Sequence, residues 1–142
     1  MKDNTTNRKI ISAGHISLDI TPAFSQKGAG SDVRDLLEPG KLIHVGRAHV
    51  HTGGSVANTG LALKILGADV QLIGKIGNDA FGMMIRQILR QHGVEGVIVD
   101  ERGGTSYSIV IAVPGIDRIF LHHPGVNDTF SNKDIPEAAL ED

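Results

Sequence analysis

The segment DVQLIGKIG, residues 69–77, is apolar on both faces of an extended chain. A strand of that kind must be covered on both sides, and short strands that are apolar throughout belong to parallel sheets, whose crossovers supply the covering helices. The flanks agree with this. Before the segment, Ala57, Leu61 and Ile65 recur at helical spacing over residues 56–66, and Gly67 closes the run as a helix C-cap does. After it, Asn78 or Asp79 is placed to cap a helix in which Phe81, Met84, Ile85, Ile88 and Leu89 make one apolar stripe before Gly93. Helix, buried strand and helix in succession predict an α/β layer.

The remaining segments predict a second, smaller sheet. Residues 9–13 carry an Ile-Ile pair and end at Gly14, a short buried strand stopping at a turn, and residues 97–99 read as another strand of the layer. Alternating stretches at 18–24 and 42–51, and two β-rich runs at 106–113 and 118–122 that flank PGID as a hairpin, do not fit between the helices and must lie outside the layer. GAGSDVRDLLEPG, between the first two of these, reads as a loop with one helical turn at 33–37, and the polar N-terminus reads as a frayed tail. Met83 and Met84 read as core filling, and Lys75, Arg86 and Arg90 as solvated.

Charge narrows the function classes. Lys and Arg number 14 against 16 Asp and Glu, with no basic block, so the electrostatic footprint of a nucleic-acid or anionic-membrane binder is missing. No apolar run is long enough for a membrane span or a signal sequence. There is no cysteine, which rules out disulfides and thiolate metal sites and fits the reducing cytoplasm. No G-x-G-x-x-G follows the first strand, which argues against a dinucleotide site. His49 and His51 alternate on one strand, with His44 and the His122-His123 pair elsewhere, but no carboxylate stands at a helpful spacing; they read as solvated or interfacial, with no metal site.

The chemistry-bearing stretch is HTGGSVANTG, residues 51–60. Paired glycines let the backbone approach a ligand, and the helix that follows presents unpaired amides and the positive end of its dipole. Small Ser55, Ala57 and Gly60 allow close packing, while Asn58 offers donors and an acceptor suited to sugar hydroxyls. The residues alone leave two readings open: a ligand site, or a tight strand-to-helix turn with Asn58 capping or facing water.

GGSVANTGLALKILGADVQLIGKIGNDAFG, residues 53–82, closely resembles the N-terminal signature of the ribokinase (PfkB) family of carbohydrate kinases, with Gly53-Gly54, Asn58, Gly67-Ala68, Gly77-Asn78-Asp79 and Gly82 at the family's intervals. Gly14-His15-Ile16-Ser17-Leu18-Asp19 resembles the end of the family's first strand, and Thr105 through Asn127 resembles its lid strands and the loop after them. The resemblance spans essentially residues 10–135. It implies a ribokinase-like three-layer αβα core, here its N-terminal half, with a small β-sheet lid. It also implies ATP-dependent phosphorylation of a sugar or sugar-like alcohol, with ATP and Mg²⁺ as cofactors.

Carried over residue by residue, the resemblance makes Asp19, Gly53, Gly54 and Asn58 sugar contacts, with Ser17 and Ser55 at contributing positions and Ser108 and Phe120 on the lid facing the sugar. Asp19 would accept from two hydroxyls, each bond strengthened by its charge. Ser17 stands where ribokinases usually have Asn and Ser55 where they usually have Lys, and the loop after Asp19 is longer, which points away from ribose. The family places its catalytic aspartate in a DTxGAGD-like helix start in a C-terminal half, together with most of the ATP site. No such element occurs in this sequence; GAGSD at 28–32 has altered spacing and no apolar strand before it. The chain is therefore expected to be an N-terminal portion supplying the sugar half of the site, with no catalytic residue of its own and no activity alone. The lid strands suit a homodimer, since edge strands invite a second copy. The alternative reading is a non-catalytic sugar-binding or dimerisation module.

Overall fold

The computed structural model describes residues 9–24 and 38–141. The GAGSD stretch and the helical turn expected at 33–37 lie outside the described residues. The first strand, β1 (Ile10–Gly14), pairs in parallel with β4 (Val70–Gly77), which pairs in parallel with β5 (Ile98–Asp100), giving a three-stranded sheet in the order β1-β4-β5. Parallel neighbours need crossovers. These are supplied by α1 (Gly54–Ile65) and α2 (Ala80–Gln91), which flank β4 in sequence.

β4 is buried along nearly its whole length. Its Val70, Leu72 and Ile76 share one core with Val56 and Ala57 of α1 and Ile85 and Leu89 of α2. α1 comes close to the sheet at Gly60, where Leu72 occupies the space that a Cβ would take. The helix therefore buries Val56, Ala57 and Gly60, and Ile65, expected on the apolar stripe, is exposed beyond the contact. α1 ends as expected: Gly67 takes φ +86° and the Ala68 amide donates back to the Leu63 carbonyl. α2 buries the line Gly82, Ile85 and Leu89, so Met83 and Met84 are exposed rather than core-filling.

The second sheet runs β3-β2-β6-β7, built from β2 (Ser17–Thr21), β3 (His49–Gly53), β6 (Tyr107–Ile111) and β7 (Ile119–His123). β2 is antiparallel to β3 and parallel to β6; β6 and β7 form the antiparallel hairpin. The alternating pattern at 42–51 becomes strand only from His49. Thr21–His49 is the last pair of the ladder because Pro22 follows Thr21 and has no N–H to donate. Leu18, Ile20 and Tyr107 turn one face of this sheet towards the core, where Tyr107 meets Phe81 of α2 edge to face at 5.1 Å. Ser17, Asp19 and Thr21 turn to the other face by alternation.

The other face of β4 carries Lys75, which is buried, not solvated. The 3-10 turns Gly125–Thr129 and Asn132–Asp134 bring it partners: Lys75 Nζ lies 2.8 Å from Asp134 and 3.8 Å from Asp100, and donates to the Thr129 carbonyl and hydroxyl. Arg102 closes the cluster through Nε and a terminal amino group on the two Asp100 oxygens, which, ahead of Lys75, hold that carboxyl far below the usual range. Every buried charge here has an opposite charge and hydrogen bonds, the condition under which burial is tolerated.

Candidate functional site

The chain leaves the first sheet at Gly14 and enters the second at Ser17, and this switch is fixed from three directions. The Val56 amide donates to the His15 carbonyl, and the Asn127 side chain both accepts from the Ile16 amide at 3.1 Å and donates to its carbonyl at 2.7 Å. Gly54 packs against the His15 carbonyl and ring with φ +83°, so a side chain there has neither space nor an allowed backbone. The glycine pair and the 14–19 segment are thereby locked together.

Register then orders the outer face of the second sheet. Ser17 pairs with Gly53, and Asp19 pairs with both His51 and Ser108, which pairs in turn with His122. His51, Asp19, Ser108 and His122 thus form one row across four strands, on one face. The next row, through Thr21, His49 and Val110, brings in Phe120, half exposed and stacked under the Arg118 guanidinium at 5.6 Å. The Asp19 carboxylate accepts from the Ser17 hydroxyl at 3.1 Å and fills the space above Gly53, where any Cβ would collide with it.

Of the sequence-derived candidates, Ser17, Asp19, Gly53, Ser108 and Phe120 share this face, and Gly54 and Ser55 follow directly at the start of α1. Gly53 caps that helix without a side-chain bond. Asn58 is the fifth residue of α1; it is exposed and makes no hydrogen bond to a described residue, so it does not cap the helix. Sequence reasoning gave His15 no role and read His122 as solvated or interfacial. Their rings lie 5.5 Å apart; His15 Nε2 meets the Ser106 hydroxyl at 3.3 Å, and His122 Nδ1 meets the Ser108 hydroxyl at 3.0 Å. Burial, with help from His122, pushes the His15 pKa down against the pull of Asp19 and Asp128.

A sequence profile for the pfkB family carbohydrate kinases matches residues 10–142. The chain belongs to this family. Among its curated relatives, the ATP-dependent ribose-1-phosphate kinase of Halopiger xanaduensis is 28% identical over 137 residues, covering 93% of this chain and 42% of the relative. Among solved structures, a fructokinase from Xylella fastidiosa with bound ATP superposes with a TM-score of 0.69 at 21% identity, covering 94% of this chain and 39% of that one. A ribokinase from Giardia lamblia superposes at 0.73 and 17% identity, covering 91% and 40%. The fold is therefore ribokinase-like, and the chain spans less than half the length of these proteins.

Within this PfkB chain, part of the signature has an internal structural use. The Asp79 carboxylate takes the Gly82 amide at 2.8 Å, the Thr105 amide at 2.7 Å and the Thr105 hydroxyl at 2.6 Å. Burial raises its pKa, but these bonds outweigh burial and hold it below the ordinary carboxylate value. Gly77 and Gly82 have no room for a Cβ, each facing backbone of its neighbours. Gly77, Asp79 and Gly82 therefore staple α2 to the 103–105 loop that leads into β6. Asn127 was legible only as part of a resembling loop; an amide beside a turn glycine, able to pair both polar groups of one residue, was its signal.

Proposed function

We propose that this chain supplies the acceptor-binding half of an ATP-dependent sugar kinase. The carrying observation is the Asp19 carboxylate: it receives one hydrogen bond, from Ser17, fills the Cβ-free space above Gly53, and stands in a row with Ser108 on the outer face. A carboxylate so placed accepts from two neighbouring hydroxyls of a polyol, in charge-assisted bonds. Gly53 makes room for that carboxylate and Gly54 for the His15 carbonyl and ring, which brings the backbone of both glycines beside the acceptor; Ser17 holds the carboxylate, Ser55 and Asn58 stand exposed at the start of α1, and the second sheet serves as the lid, with Ser108 and Phe120 on it. The relatives named above phosphorylate ribose 1-phosphate or, by their names, fructose and ribose, which supports a sugar as acceptor.

ATP with Mg²⁺ would supply the γ-phosphoryl group to that acceptor. Among the described residues no three His, Asp or Glu side chains gather to hold a metal ion. Mg²⁺ at such sites is usually held by one or two carboxylates together with nucleotide phosphates and waters, and no step of the transfer is assigned to the described residues. Heteronuclear NMR of this chain against a panel of sugars and nucleosides tests the reading: an acceptor shifts the amides of Asp19, Gly53, Gly54 and Asn58. Shifts confined to other surfaces contradict it. Incubation of this chain alone with ATP and the acceptor is expected to give no product; turnover by the chain alone contradicts the assignment of the chemistry to other residues.

The reading also includes a homodimer through the second sheet, in which β3 and β7 are edge strands whose outer residues are exposed. Sedimentation showing only monomers at high concentration contradicts it. The lack of cysteine suits the cytoplasm, the compartment assigned in this reading.

A further inference from the structure

On the outer face of the second sheet, a closed circuit of contacts runs through Asp19, Ser108, His122, His15, Gly54 and Gly53. The Asp19 carboxylate fills the Cβ-free space above Gly53 and stands beside Ser108 in the ladder. The Ser108 hydroxyl lies 3.0 Å from His122 Nδ1, and the His122 ring meets the His15 ring edge to face, with 5.5 Å between centroids. The His15 ring in turn lies against Gly54, the neighbour of Gly53 in sequence. Asp19, Gly53, Gly54 and Ser108 are assigned above to the acceptor. His15 and His122 complete the circuit and have no role in that reading.

The direction of each hydrogen bond decides what this circuit can offer a ligand. A serine hydroxyl has one proton to donate and lone pairs with which to accept. Ser17 donates its proton to Asp19, which as a carboxylate only accepts. Ser108 is buried, so its hydroxyl has little water to turn to, and its partner is an imidazole nitrogen. The lone pair of a neutral imidazole is basic near neutrality and a hydroxyl oxygen is not, so O–H to nitrogen is the stronger of the two possible directions. His15, in contact with the same ring, is neutral at neutral pH: burial, with help from His122, lowers its pKa against the pull of Asp19 and Asp128.

We propose that His122 is a positioning residue for the acceptor: its bare Nδ1 takes the hydrogen bond from the Ser108 hydroxyl and so leaves the Ser108 oxygen lone pairs to the ligand. The proposal rests on the sugar-kinase reading above and deepens it by stating what the site selects. Asp19 and Ser108 become two adjacent acceptors, one strand apart in the ladder. Free hydroxyl groups donate to both. A keto, ether or deoxy position opposite Ser108 leaves that acceptor unpaired and is disfavoured. His15, packed edge to face on the His122 ring, limits where that ring can swing.

The test is an NMR titration of this chain with ribose, fructose and their monodeoxy derivatives at about pH 8, where an ordinary imidazole is neutral. It is run on the parent, His122→Ala, Ser108→Ala, the double variant and His122→Asn. The expected result is that a sugar which binds the parent loses affinity about threefold to tenfold in either alanine variant, while the double variant binds no more weakly than Ser108→Ala. His122→Asn, whose side-chain oxygen accepts from the same hydroxyl, regains most of the parent affinity. One monodeoxy derivative binds the parent more weakly than its full sugar does, and that difference vanishes in Ser108→Ala. Long-range proton–nitrogen spectra place the His122 proton on Nε2. His122 is exposed, so folding is not at stake in its variants. Unchanged affinity in His122→Ala, additive losses in the double variant, no rescue by asparagine, no such monodeoxy derivative, or a proton on His122 Nδ1 overturns the proposal and leaves the sugar-kinase reading standing. Binding of none of these sugars overturns both.

Discussion

Asp79 and Asp19 both belong to the stretches that resemble the PfkB signature, but their surroundings differ. Asp79, at the junction of β4, α2 and the 103–105 loop, takes three hydrogen bonds from Gly82 and Thr105, and glycines pack close around it. Asp19, on the outer face of the second sheet, takes one, from Ser17. A carboxylate whose acceptor sites are filled from within holds the fold; one left with open sites beside a glycine is available to a ligand. The same residue type in two stretches of one family resemblance therefore has two separable uses, and perturbing the closed side should cost stability while perturbing the open side costs binding.

The largest effect is expected beside the closed junction. Lys75→Ala removes the cation shared by Asp134, Asp100 and Thr129 and is expected to cost about 3 kcal/mol in urea unfolding, since breaking a buried ion pair strands its partners. Asp79→Ala should cost about 2 kcal/mol by the same measurement, because the Thr105 and Gly82 donors lose their acceptor. The folded state holds Asp79 below its unfolded value, so its contribution is present above that value and is lost as pH falls through and below it. The variant's stability should consequently vary less with pH on the acid side. A variant as stable as the parent would break the contrast between the two aspartates.

Gly53→Ala acts on the open side. Its Cβ displaces the Asp19 carboxylate, and acceptor affinity is expected to fall by tenfold or more, about 1.4 kcal/mol, with a smaller change in unfolding free energy. The smallest effect is expected at His15. Its folded pKa lies below its unfolded 6.5, so the unfolded chain binds more protons between the two, and stability declines as pH drops below 6.5. His15→Asn should flatten that decline in thermal melts between neutral and mildly acid pH; an unchanged slope would remove His15 from the account.

The sequence made the layer legible because a strand apolar on both faces has few homes, and because Asp79 is a chemically specific start, and Gly67 and Gly93 specific stops, for helices. Strand ends were less legible: the 42–51 alternation carries no sign that its partner terminates at Pro22, a fact of pairing rather than of pattern. Lys75 was misread because a lysine beside apolar residues looks exposed until the 125–134 turns supply Asp134 and Thr129 from more than fifty residues away. Ser17, Asp19 and Gly53 were found through resemblance, and register explains their meeting. The meeting of His15 with His122, read from sequence as solvated or interfacial, was missed because imidazoles far apart in sequence carry no spacing signal until β6 and β7 pair.

The most direct measurement sets Asp19→Ala beside the parent in one NMR titration with the tightest-binding acceptor and one urea unfolding curve. The account predicts unfolding free energies within about 0.5 kcal/mol of each other, as for a surface change, and loss of acceptor-induced shifts at Gly53 and Gly54. Undiminished acceptor binding by the alanine variant would contradict it.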